Sequence, residues 1–256
     1  MTLLEFGLLV VAGYFAGLVG FVTGMASLVS YPALLAAGVP PVAANVTNTV
    51  AMVAAGVGAT TKASGEIAKD GKQLIRLAVV SALGGLVGAI LLLVAPEGSF
   101  ETVVPFLVAF ASVALLLQPR LRKLSGGGEF PTSGTGTRGT AQMLYPVFLF
   151  FVAVYGGYFG AGAGVIFLAL ALICTSDSIW RASILKSFFL GIANVIAAVV
   201  FAFSGDVDWL AALALALGAF AGGYCGPPVV KVIPPTVLRI TVGVLGLGLA
   251  AWLLWK

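Results

Sequence analysis

The sequence predicts an all-α, polytopic helical membrane protein, built as two inverted repeats with broken or re-entrant helices and eight to ten membrane elements. Three observations predict it. Of 256 residues, 61% are apolar and only 9% charged, with a mean hydropathy of +1.15. Soluble domains carry roughly 25% charged residues, so this chain could not cover a water-facing surface. Apolar runs longer than the ~18 residues that a bilayer crossing requires recur from end to end. Two of those runs are too long for one crossing, and both carry glycine at their centres.

The apolar runs are 3–37, 42–61, 74–95, 101–118, 143–174, 182–204, 208–225 and 235–255. The first opens as MTLLEFGLLVV, with Glu5 and no basic residue. A secretory signal has a basic start and a small-residue cleavage site, so this segment reads as a retained first helix. A single helix over 3–37 would span about 52 Å at 1.5 Å per residue. The run over 143–174 has the same excess. Each is therefore expected to fold back on itself near its small residues: Gly17, Gly20, Gly24, Ala26 and Ser27 in the first, Gly156 to Gly164 in the second.

YGGYFGAGAG, Tyr155 to Gly164, places five glycines in ten residues. Each costs an interior helix about 1 kcal/mol relative to alanine. A phosphate loop is excluded, since no Lys-Ser/Thr follows and no strand precedes. GEIAKDGKQ at 65–73 has the wrong glycine spacing for one. Two compatible readings remain: a close-packing seam and a break. A helix restarting after Gly164, and a counterpart after Gly24, would turn unpaired N–H groups and a positive dipole end inward, where they bind anions.

In the run 42–61, VAANVTNTV sets Asn45, Asn48 and Thr49 at spacings of three and four, on one helix face, with Thr47 beside them. Asparagine inside a membrane helix calls for a partner or a wet cavity. In the run 182–204, Ser183, Ser187 and Asn194 share a face. Lys186 flanks it, and either snorkels to the interface or faces an anionic solute.

The chain also repeats itself. GYFAGLVG at 13–20 lines up with GYFGAGAG at 157–164, and KASGEI at 62–67 with FAFSGDV at 201–207. The repeats are taken as 1–118 and 143–256, joined by a glycine-rich linker over 119–142. No basic residue occurs in the first 61 positions. Lys62, Lys69, Lys72 and Arg76 then cluster in one loop, and Arg120, Arg122, Lys123 and Arg138 in the linker. Two spans separate the clusters, so both face the cytoplasm. If each long run counts as two crossings, or as a hairpin entering and leaving on one face, the N-terminus is outside, Arg181 and Lys231 are inside, and Glu97, Asp206 and Asp208 are outside. An odd number of elements per repeat then inverts the halves, a transporter plan with its site near the midplane.

TGMASLVSYPALLAAGVPP (23–41) followed by Thr47-Asn48, then GGYFGAGAG, then Ala182, Lys186 and Asn194, then SGDVDW (204–209), resembles the TauE/SafE family of sulfite exporters and anion transporters. The resemblance covers essentially the whole chain. It implies export or exchange of sulfite, sulfonates or related sulfur compounds. The sequence departs from the family where Met25, Ala26 and Ser27 stand in place of glycines.

The substrate-binding candidates are Gly24, Ser27, Thr47, Asn48, Thr49, Gly160, Gly162, Gly164, Lys186, Ser187 and Asn194. The chain has no histidine, no G-x-S-x-G and no paired-cysteine motif, so a membrane protease or a His-ligated metalloenzyme lacks its usual parts. No enzyme activity, cofactor, metal site or nucleic-acid partner is expected. Cys174 and Cys225 read as small core residues. The expected partners are a lipid bilayer and a small anionic solute, with room for a homo-oligomer, in the cell membrane of a prokaryote. The competing readings are a membrane scaffold and an importer of another anion.

Overall fold

In the computed structural model of the chain, residues 1–62, 71–96, 98–124, 135–175, 179–204, 206–229 and 235–255 are described. They form ten helices: α1 (Leu3–Thr23), α2 (Ser27–Ala36), α3 (Pro41–Lys62), α4 (Gly71–Val94), α5 (Ser99–Leu124), α6 (Thr135–Tyr158), α7 (Ala163–Cys174), α8 (Ile179–Ala202), α9 (Trp209–Val229) and α10 (Pro235–Trp255). Six have stretches long and apolar enough to cross a membrane, and shorter apolar helices accompany them. The protein is a polytopic helical membrane protein. Lys69, Glu97, Lys231, most of the 62–67 match and residues 125–134 lie outside the described residues. Helices α5 and α6 run into the polar segment read as the linker, reaching Leu124 and starting at Thr135.

Both overlong runs break where glycine permits. Helix α1 is closed at its start by a capping box, with Thr2 N–H donating to Glu5 and Glu5 N–H to Thr2 Oγ1. It stops at Gly24, whose φ of 82° is left-handed and strained for residues with a Cβ. Helix α6 stops at Tyr158, and Gly160 and Gly162 take φ of 78° and 84° before α7 begins. The ten residues of α2 and twelve of α7 span about 15 and 18 Å, roughly half the hydrocarbon thickness.

The glycine contacts give the helix directions. Gly218 packs on Val10, Gly17 on Ala219 and Gly223, and Gly226 on Phe21, so α1 and α9 run parallel. Gly84 packs on Phe150 and Gly88 on Val154 and Tyr158, so α4 and α6 do too. Ser81 Oγ donates to Phe189 O at 2.6 Å and Gly85 packs on Ala193, which sets α8 parallel to α4. Asp208 N–H donates to Thr47 Oγ1 at 3.0 Å, bringing the start of α3 to the start of α9. Hence α1 and α3 begin on one face, and α6 and α8 on one face. Each broken pair is a hairpin that enters and leaves on the same side.

The two halves interleave. Helix α1 packs on α9 as α6 packs on α4, α3 packs on α9 as α8 packs on α4, and α3 crosses α8 as α5 meets α10. This pairing makes Gly24 the counterpart of Gly160, each the first left-handed residue of its break. The sequence match of GYFAGLVG with GYFGAGAG was therefore eight residues out of register. It paired the interior of α1 with a break, because glycines at a helix seam and glycines at a break read alike in sequence.

With this topology, single cysteines replacing the exposed Thr2 and Asp206 are expected to react with an impermeant reagent added outside, and a cysteine at the exposed Gln73 only after permeabilisation. The measurement uses a background lacking Cys174 and Cys225. Outside labelling at position 73 would overturn the orientation.

Candidate functional site

The two breaks touch. A Cβ on Gly24 would lie 2.6 Å from the Gly164 carbonyl carbon, and one on Gly164 would lie 2.5 Å from Gly24 Cα. No side chain larger than hydrogen fits at either position. Beside this contact lies a cavity of about 100 Å³, walled by the end of α1, the end of α6 with the break after it, the starts of α2 and α7, and the middles of α3 and α8. The backbone N–H groups of Ala26 and Gly164, both in its wall, meet no acceptor among the described residues. These are the orphan donors that a helix start presents.

Lys186 is the charged residue of the wall. It is 2% exposed, so its amine does not reach a surface to snorkel. Nζ donates to Gly20 O and Phe21 O, both at 2.8 Å, and lies 5.8 Å from the Phe21 ring centroid. Those carbonyls belong to the last turn of α1, whose negative dipole end the ammonium caps. In its protonated form the amine has three donors, one more than these two carbonyls take. No carboxylate lines the cavity.

Asn48 staples α3 to the start of α2. Its Oδ1 accepts from Ser30 Oγ, and its Nδ2 donates to Ser27 Oγ at 3.1 Å. Ser27 Oγ accepts there, so its own proton is left for another acceptor. Asn194 reaches the wall with no hydrogen-bond partner for its amide among the described residues. Thr49 and Ser187 also line the cavity but return their hydroxyl protons to Asn45 O and Ser183 O, each at 3.0 Å.

Thr47 and Gly162 stand elsewhere among the candidate residues. Thr47 is buried and holds the Asp208 amide. Gly162 caps the start of α7, where a Cβ would lie 3.0 Å from Ala111 Cβ and 3.4 Å from Met25 Cε. Met25 is fully buried against that cap, and the first break forms with Gly24 as its sole left-handed residue. The family's missing glycines are thus not required for it.

Sequence reasoning missed Met52, Leu190, Phe21 and Phe159 in the wall, and the crossing where a Cβ on Gly56 would lie 3.2 Å from Gly191 Cα. Met52 follows Asn48 by four residues on the same face, a signal that periodicity carries. Asn45, in the same motif, turns to α6 instead, where its Nδ2 donates to Tyr158 O at 2.8 Å.

A family model described as "Sulfite exporter TauE/SafE" matches residues 9–253. The chain is 25% identical to "Probable membrane transporter protein ORF9" of Sinorhizobium, over 91% of this chain and 88% of that protein. It is 23% identical to "Probable membrane transporter protein YfcA" of Escherichia coli K12, over 92% and 86%. With "Probable membrane transporter protein YunE" of Bacillus subtilis it shares 25% identity, over 87% and 88%. No solved structure matches.

Replacing Lys186 by Met would leave two buried carbonyls of α1 without their charged donor, a loss of about 1.5–3 kcal/mol for such bonds. Lys186→Met is expected to lower the melting temperature in detergent and to weaken solute affinity at least tenfold, while Lys186→Arg keeps part of both. Unchanged melting and affinity in Lys186→Met would remove the lysine from both roles. Asn48→Leu is expected to impair transport at normal membrane abundance; normal transport would reduce Asn48 to packing.

Proposed function

Since this chain belongs to the TauE/SafE family, and is a multi-pass membrane transporter, we propose that it exports small sulfur-containing anions such as sulfite or organosulfonates from a site between its two repeats. The observation that carries this reading is the buried amine of Lys186 in a wall without carboxylates. A buried charge without a counter-ion is costly, and carbonyl dipoles offset only part of the cost. An anion in the cavity would complete the pairing.

The donors fit an oxyanion. The remaining Lys186 N–H, the Ser27 hydroxyl, the Asn194 amide and the N–H groups of Ala26 and Gly164 all belong to the wall. They come from both halves, and two are helix-start amides that favour negative charge. A cavity of about 100 Å³ has room for several waters, each needing about 10–15 Å³ of such space. That suits a compact solute. Phe21, Phe159, Met52 and Leu190 supply an apolar side for a short carbon stem.

Export agrees with the electrostatics. Moving one charge through 100 mV is worth ~2.3 kcal/mol, so an inside-negative membrane expels a dianion with roughly 4.6 kcal/mol. The wall carries no carboxylate to relay protons, and export of a dianion requires none.

Proteoliposomes loaded in turn with sulfite, sulfoacetate and thiosulfate, under imposed potentials of both signs, test the proposal. At least one of the three is expected to leave faster when the interior is negative. Efflux no faster than from protein-free vesicles for all three would sink the substrate class. Efflux that slows under an inside-negative potential would sink the direction.

A further inference from the structure

The two broken helices end differently. In the last turn of α1, the carbonyls of Gly20 and Phe21 hold a fixed cation, the Lys186 ammonium. At the end of α6, the Tyr158 carbonyl is held by a neutral group, the Asn45 amide, at 2.8 Å. Asn45 is fully buried, and its Oδ1 meets no donor among the described residues. An acceptor so placed is costly unless something satisfies it.

A second unpartnered group stands at the same level. Tyr31, 1% exposed, has no hydrogen-bond partner for its hydroxyl among the described residues. Asn48 bonds Ser27 and Ser30, which fixes α2 against α3. Helices α2 and α3 run in opposite directions after the hairpin. One turn along α2 from Ser27 is Tyr31, and one turn back along α3 from Asn48 is Asn45, so the two lie on the same layer. The Tyr31 ring meets Phe159 edge-on at 5.5 Å, next to Tyr158. Glu101, exposed in the first turn of α5, follows Phe100, whose ring meets those of Tyr158 and Phe159 at 6.0 and 5.8 Å.

We propose that the C-terminal end of α6, with Asn45 Oδ1, Tyr31 Oη and the Tyr158 carbonyl around it, binds a monovalent metal cation. A helix C-terminus carries the negative end of its dipole, and interrupted membrane helices use such ends to hold alkali ions. Asn45 Oδ1 and the carbonyl are acceptors, and a tyrosine hydroxyl can accept as well. Divalent ions prefer carboxylates in the first sphere, whereas these groups are neutral and Glu101 stands off at the surface as an attractor. The bound ion would do at α6 what the Lys186 ammonium does at α1. It would also offset the charge of an anion in the neighbouring cavity.

The test needs no transported solute, so it stands or falls apart from the anion reading. The full-length purified protein is melted in detergent at constant ionic strength, with sodium, potassium or lithium chloride replacing choline chloride. A ligand that binds the folded state raises the midpoint with its concentration. At least one alkali ion is expected to raise the wild-type midpoint above choline. Tyr31→Phe, which removes one oxygen and little volume, is expected to shift the half-effective concentration upward at least threefold. Asn45→Asp is expected to shift it downward about tenfold. Identical melting in all four salts would overturn the proposal, with water left to satisfy these atoms. So would an alkali-ion effect that both variants leave unchanged.

Discussion

Gly24 and Gly164 meet backbone to backbone, and the polar interior of the protein is arranged around that contact. Inside a bilayer, every backbone N–H and C=O must find a partner within the protein or a wet cavity. Breaking two helices at one point releases carbonyls on one side of each break and amides on the other. The carbonyl ends are met from the opposite half, by Lys186 on α8 for α1 and by Asn45 on α3 for α6. The amides of Ala26 and Gly164, both residues of the cavity wall, meet no acceptor among the described residues. The contact therefore creates the site and dictates which residues must surround it.

Small residues make the contact reachable. Helices α1 and α9 approach so closely that a Cβ on Gly218 would lie 1.9 Å from Val10 O, and on α4 a Cβ at Gly88 would lie 2.1 Å from Val154 O. Association of helices in lipid rests on close packing and interhelical hydrogen bonds rather than on apolar burial, which lipid supplies anyway. The glycine seams belong to that requirement. They let the first helix of each half lie along the fourth of the other, which carries the two breaks to the centre. Tyr155 Oη donates to Ala161 O across the second break and holds its loop in place.

Charge is distributed as sparingly as packing is dense. Lys186 is buried with two carbonyls and no carboxylate in the cavity wall. Under the proposed function this arrangement would tie helix capping to solute charge, because a solute drawing on the amine would act on the group that closes α1. Asn48 has a similar double position, since it lines the cavity while holding Ser27 and Ser30 at the start of α2.

The sequence alone determined the class of the fold, because a deficit of charge and repeated apolar runs leave no soluble alternative. It also required each long run to tilt, project or fold back, because helix rise is fixed and runs of that length exceed the bilayer. Part of the wall followed from helical spacing, which put Asn45, Asn48 and Thr49 on one face of α3, and Ser187 and Asn194 on one face of α8. Tertiary structure alone decided what those faces meet. Thr47 turned out to hold the Asp208 amide, because adjacent positions on a helix point to different neighbours, and Gly162, in the break before α7, to pack on Ala111. It also separated seam glycines from break glycines, which are the same letter and differ only in φ. The role of Lys186 depended on carbonyls 165 and 166 residues away. No local pattern encodes such a distance; only the crossing of the two halves brings the amine and the helix end together.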